Sequence, residues 1–82
     1  MRIIAEIPHP LMRISIFYMN QKYLIKFEQG SLEQTYKVSE LDYIIRNVED
    51  VKAAVDEKFI TKVQKIFTSM GESLQLAFKE LE

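Results

Sequence analysis

The chain has no cysteine, which removes disulfide frameworks, thiolate zinc sites, redox pairs and cysteine nucleophiles together and fits a reducing compartment such as the cytoplasm. Glycine occurs only at Gly30 and Gly71, too few for a glycine-rich phosphate cradle, so nucleotide binding through a P-loop or Rossmann fingerprint is excluded at the level of motif. The single histidine, His9, stands between Pro8 and Pro10 with no second histidine or cysteine to complete a transition-metal site, and reads as an exposed loop residue. No cofactor is expected. Long apolar runs are also missing: none approaches the roughly 20 residues of a membrane helix, so no membrane partner is expected. The segment Met1 to Pro8, with an acid at Glu6, is unlike the apolar core of a signal peptide.

An excess of one charge sign is absent as well. Residues 1–38 carry five basic and three acidic side chains, residues 39–82 six and nine, giving +2 against −3. That asymmetry is mild, and a sequence pI of about 5.8 is remote from the basic character of a dedicated nucleic-acid binder. What remains is a globular composition: 48% hydrophobic residues and nine aromatics in 82 residues suffice for one core and one domain, residues 1–82.

The first half has the period of strands. Ile3, Ala5 and Ile7 alternate with Arg2, Ile4 and Glu6. Pro8 and Pro10 interrupt the ladder, since proline offers no N–H. Met12, Ile14, Ile16 and Tyr18 then share a face, as do Tyr23, Ile25 and Phe27. With Asn20-Gln21 as a two-residue loop, Tyr18 faces Tyr23, Ile16 faces Ile25, Ile14 faces Phe27 and Arg13 meets Glu28. A four-residue loop from Pro8 to Leu11 sets Ile7 against Met12, Ala5 against Ile14 and Ile3 against Ile16, with Glu6 beside Arg13. For the third hairpin two signals conflict. A Gly30-Ser31 loop puts glycine where a turn needs it but sets Glu28 against Glu33; a Gln29-Gly30 loop pairs Lys26 with Glu33, Tyr23 with Tyr36 and Phe27 with Leu32. Charge favours the second register. The expected strands are residues 2–7, 12–19, 22–29 and 32–38.

Beyond Val38 the period becomes helical. Val48, Val51 and Val55 follow Asn47, a capping residue with Asp50 three positions on, and predict a short helix over residues 48–55. Ser39-Glu40-Leu41-Asp42 also has a capping-box pattern, and Leu41, Ile44 and Ile45 would extend the stripe, so the start lies between Ser39 and Val48. From Glu57 onward Phe59, Ile60, Val63, Ile66, Phe67, Met70, Leu74, Ala77, Phe78 and Leu81 fit one face of a helix over residues 57–81, with Leu76 off the stripe. The whole is an α+β fold: a four-stranded antiparallel meander in the order 1-2-3-4, then a short helix and a long amphipathic helix packed on one sheet face. A helix of that span is about 38 Å long at ~1.5 Å per residue, against about 26 Å for an eight-residue strand. Leu74, Phe78 and Leu81 therefore lack sheet beneath them, and a second copy of the chain is the simplest cover.

Chemistry-bearing constellations are scarce. The acid pairs Glu49-Asp50 and Asp56-Glu57 sit at helix starts, where the macrodipole favours negative charge, and need no metal. On the sheet face away from the helices, Arg13, Phe17, Met19, Lys22, Leu24, Lys26 and Lys37 form a mixed apolar and basic surface, with Phe17 opposite Leu24. Sheets that bind single strands combine stacking surfaces with cations in this way. The element order resembles the plan of the Whirly and PUR-repeat single-strand-binding domains over most of the chain, and that resemblance implies dimerisation and nucleic-acid contact through the sheet. The reading favoured by the residues is a non-enzymatic binding or assembly protein, a homodimer through the C-terminal helix, open to a protein partner; a single-stranded nucleic-acid module using the outer sheet face is the alternative.

Overall fold

The computed structural model describes residues 2–81. Four strands, β1 (Arg2–Ile7), β2 (Arg13–Met19), β3 (Lys22–Gln29) and β4 (Leu32–Ser39), form one antiparallel sheet in the order β1-β2-β3-β4. Helices α1 (Val48–Ala54) and α2 (Glu57–Ala77) follow, and a single 3-10 turn, Lys79–Leu81, ends the described chain. This is the α+β meander that the sequence periods predict.

The central hairpin has the expected register, with Tyr18 opposite Tyr23, Ile16 opposite Ile25, Ile14 opposite Phe27 and Arg13 opposite Glu28. Its loop residues Asn20 and Gln21 have φ of 51° and 63°, both left-handed, as the turn that matches strand twist requires.

The other two hairpins differ from expectation. Between β3 and β4 the loop is Gly30-Ser31, not Gln29-Gly30, so Glu28 does stand opposite Glu33 and Phe27 opposite Gln34. Gly30 has φ of 61°, the first-position geometry that glycine alone adopts without strain, and turn chemistry outweighs one exposed like-charge pair. Glu33 relieves the repulsion by turning to the diagonal Lys26, 3.7 Å away, and by accepting a bond from Thr35 Oγ1 at 3.2 Å. Between β1 and β2, Ile7 pairs with Ile14 and Ala5 with Ile16, two residues from the expected register, because Pro8 to Met12 form a longer connection than four residues. A bulge at Ile4 then moves Ile3 opposite Phe17 and Arg2 opposite Tyr18, reversing the faces predicted for that end of β1.

The inner face buries Met12, Ile14, Ile16, Tyr23, Ile25 and Phe27 against Val51 and Val55 of the α1 segment and Ile60, Val63 and Phe67 of α2. Phe27, Tyr36 and Phe59 meet as three edge-on rings with centroids 5.4 to 5.8 Å apart. Gln34, the polar exception on the inner face of β4, is buried and bonded at both ends of its amide: its Nε2 donates to the Val63 carbonyl at 3.0 Å, and its Oε1 accepts from the Tyr36 hydroxyl at 2.6 Å. A strand side chain thus holds a helix backbone directly.

Helix α1 does not begin early. Ser39 Oγ accepts from the Leu41 N–H at 3.1 Å, which closes a turn rather than capping a helix, and Leu41 and Ile44 are exposed. The working cap is Asn47, whose Oδ1 accepts from the Glu49 N–H at 2.9 Å. For α2 the cap is Asp56, accepting from the Phe59 N–H at 3.0 Å. The α-helix stops at Ala77 rather than reaching residue 81; its last turn tightens, with the Leu81 N–H donating to the Phe78 carbonyl at 3.0 Å.

The path of α2 is fixed by these contacts. Phe59 lies by Tyr36, Val63 by Gln34, and Gly71 by Leu32 at the hairpin end of β4, so the sheet runs out beneath Gly71. Gln34→Ala is expected to cost about 1–3 kcal/mol in urea unfolding, since the Tyr36 hydroxyl loses its acceptor, whereas Gln34→Leu, which fills the space, should cost less than Gln34→Ala. Glu28→Gln removes the like-charge pair with Glu33 and should raise stability by about 0.2–1 kcal/mol, read as a higher urea midpoint at low salt.

Candidate interaction surfaces

Three surfaces are candidates, and the first is the tail of α2. Leu74, Phe78 and Leu81 are 43%, 53% and 77% exposed; Leu74 is on the helix face buried upstream at Ile60, Val63 and Phe67, Phe78 is the C-cap and Leu81 ends the 3-10 turn. Two open grooves flank the tail where it leaves the sheet. One lies among Leu32, Ile66, Met70 and Leu74, the other among Leu32, Gly71, Leu74 and Phe78. The stripe that α2 uses for its core thus continues past the last residue of sheet. Sequence reasoning identified these three residues from length alone. It missed the exposure of Ile66, which belongs to the apolar stripe but lies on the flank beyond β4.

The outer sheet face brings the predicted residues together in a different balance. Ile3, Phe17, Leu24 and Lys37 form one row across all four strands, because the Ile4 bulge delivers Ile3 to this side. The adjacent apolar residues Ile3 and Ile4, where strict alternation fails, were the available signal for that bulge. Phe17 and Leu24 are half-buried and Met19 is exposed beside Lys22. Two of the cations are engaged: Arg13 bridges Glu6 at 3.1 Å and Lys26 bridges Glu33 at 3.7 Å. Between them Ser15, opposite both Glu6 and Lys26, is almost fully covered. Lys22 and Lys37 make no ion pair among the described residues.

A third feature is a cleft of about 540 Å³ between α1 and the sheet, bounded by Tyr36, Val38, Ile45, Val51, Val55 and Phe59. Its rim carries Asp50, which is held by three bonds from Arg46: the backbone N–H at 2.8 Å, Nε at 3.1 Å and Nη2 at 3.0 Å. These bonds to the ionised form hold the Asp50 carboxyl below its usual range. Tyr18, whose ring packs on Tyr23 with centroids 4.8 Å apart, donates to Glu40 Oε1 at 2.6 Å, and that bond raises the phenol above its ordinary value. His9 is half-buried in its loop, where Nδ1 accepts from the Leu11 N–H at 3.1 Å and so helps to shape the turn. Among the described residues no group of three or more His, Cys, Asp or Glu side chains is placed to hold a metal ion, and no helix is long and apolar enough to cross a membrane.

No protein family, curated protein or solved structure matches this chain at a significant level. The resemblance to Whirly and PUR-repeat domains therefore stands on element order alone.

The Arg46–Asp50 cluster has a pH signature. Because the folded-state value of Asp50 is depressed, its contribution is present above about pH 4, where the unfolded carboxyl ionises, and is lost as pH falls through the folded value. Asp50→Asn should therefore lower stability at pH 7, with the difference from the wild type shrinking toward strongly acidic pH, as followed by urea unfolding across that range.

Proposed function

We propose that this chain is a small non-enzymatic assembly or binding protein that forms a homodimer through the C-terminal half of α2, with Leu74, Phe78 and Leu81 at the interface. The observation that carries this reading is the overhang. Past Gly71 an amphipathic helix keeps its apolar stripe with no sheet under it. The resulting shape is long, 48 × 25 × 20 Å, with a radius of gyration of 14.5 Å. A compact chain of this length has about 12 Å. Apolar stripes of this kind on small domains mark association sites, and a second identical chain supplies a matching stripe by symmetry. The lack of cysteine fits an existence in the reducing cytoplasm.

The alternative, single-strand binding through the outer sheet face, draws on the row Ile3, Phe17 and Leu24 beside Lys22 and Lys37. It has less support, because Arg13 and Lys26 are already paired with acids and, among the described residues, Phe17 is the one aromatic side chain on the outer sheet face.

Light scattering with size exclusion at micromolar concentrations should give twice the chain mass for the wild type. Leu74→Glu with Phe78→Glu should raise the dimer Kd by at least about a hundredfold, each buried apolar side chain being worth about 1.5–3 kcal/mol. The monomer's circular dichroism should not change, since both residues are exposed within one chain. A monomeric wild type that shifts single-stranded oligonucleotides, with affinity falling steeply as salt rises, would favour the alternative.

A further inference from the structure

Leu76 is off the core stripe of α2, 73% exposed, and unexplained by the tail residues. It belongs to a second series. Lys62, Ile66, Ser69, Ser73 and Leu76 follow one another along α2 at alternating steps of four and three, the spacing of a helix-pairing seam, and Glu80 in the 3-10 turn is the next step of four. Ile66 in that series is 45% exposed. The seam lies on the open flank of α2: Gln64 on the other flank meets Gln29 of β3 at 3.3 Å, whereas Ile66, Ser69 and Ser73 border a groove with Leu32 at the sheet edge.

The series is self-complementary in one orientation. Aligned antiparallel with a second copy, Ile66 meets the partner's Leu76, Ser69 meets the partner's Ser73, and Lys62 meets the partner's Glu80. All three matches arise from a single register with its two-fold axis level with Gly71. Neither Lys62 nor Glu80 makes an ion pair within the chain among the described residues. A parallel alignment in register would instead set Lys62 on Lys62 and Glu80 on Glu80, so charge selects the antiparallel one. The small serines at the centre let the helix axes approach closely, and opposed helix dipoles add to the preference.

We propose that two copies of this chain pair through this seam as an antiparallel α2–α2 dimer, with Ile66–Leu76 contacts flanked by Lys62–Glu80 ion pairs. The proposal rests on the reading of α2 as a self-association element and specifies its geometry. It lays residues 72–81 of each chain beside residues 61–70 of the other, on a helix face about a third of a turn round from Leu74.

The absence of native cysteine makes the test direct. Spin labels at Thr61→Cys and at Glu72→Cys, both exposed, report inter-chain distances in the full-length protein. The antiparallel register places the two Glu72 labels nearly level, and the two Thr61 labels about 30 Å apart along the axis at ~1.5 Å per residue. Lys62→Glu should weaken the dimer about tenfold at low salt, and adding Glu80→Lys in the same chain should restore it. Leu76→Glu should abolish pairing while leaving the monomer folded. A dimer with equal separations at both labels, or one indifferent to Leu76→Glu, overturns the antiparallel seam and leaves self-association standing. A wild type that stays monomeric at high micromolar concentration overturns both.

Discussion

The bond from Gln34 to the Val63 carbonyl, together with the Phe27, Tyr36 and Phe59 rings beside it, decides where the long helix crosses the sheet. Hydrophobic burial alone is non-directional and tolerates sliding of a helix along a strand. A buried amide with a fixed acceptor does not, because any displacement leaves a polar group unpaired in the core. The register of α2 over β4 follows from that single constraint, and with it the point at which the helix runs off the sheet.

The same constraint divides the inner face between the two helices. Ile45 and α1 pack on the core near Val38, and α2 meets β4 from Tyr36 onward. A helix of 21 residues, about 31 Å at ~1.5 Å per residue, cannot be accommodated on half a strand. The overhang is therefore a product of crowding as much as of length. It exposes the tail stripe and, through the open flank beyond β4, the Ile66 and Leu76 seam.

Element type and order were legible in the residues, since alternation through Phe27 and helical spacing through Phe67 are strong periods with caps at Asn47 and Asp56 to separate them. The central hairpin was legible too, because its apolar and charged pairings agreed. The flanking hairpins were not. At Gly30 a side-chain argument competed with a backbone one, and left-handed geometry outweighed an exposed charge pair that Lys26 could relieve diagonally. At Ile4 a bulge broke the period by one residue, which moved Ile3 to the outer face. The capping box at Ser39 failed because a serine satisfies a turn as readily as a helix start when no apolar face behind it is buried.

The candidate surfaces divide along the same line. Strand and helix content, the single core and the surplus of Leu74, Phe78 and Leu81 were determined by the sequence, because each depends on composition, spacing or helix length measured along one chain. Tertiary structure alone decided the β1 and β4 registers, the role of Gln34, the row that joins Ile3 to Phe17, and which flank of α2 remains open. Those depend on how elements far apart in sequence compete for one sheet face, and no local period encodes the outcome of that competition.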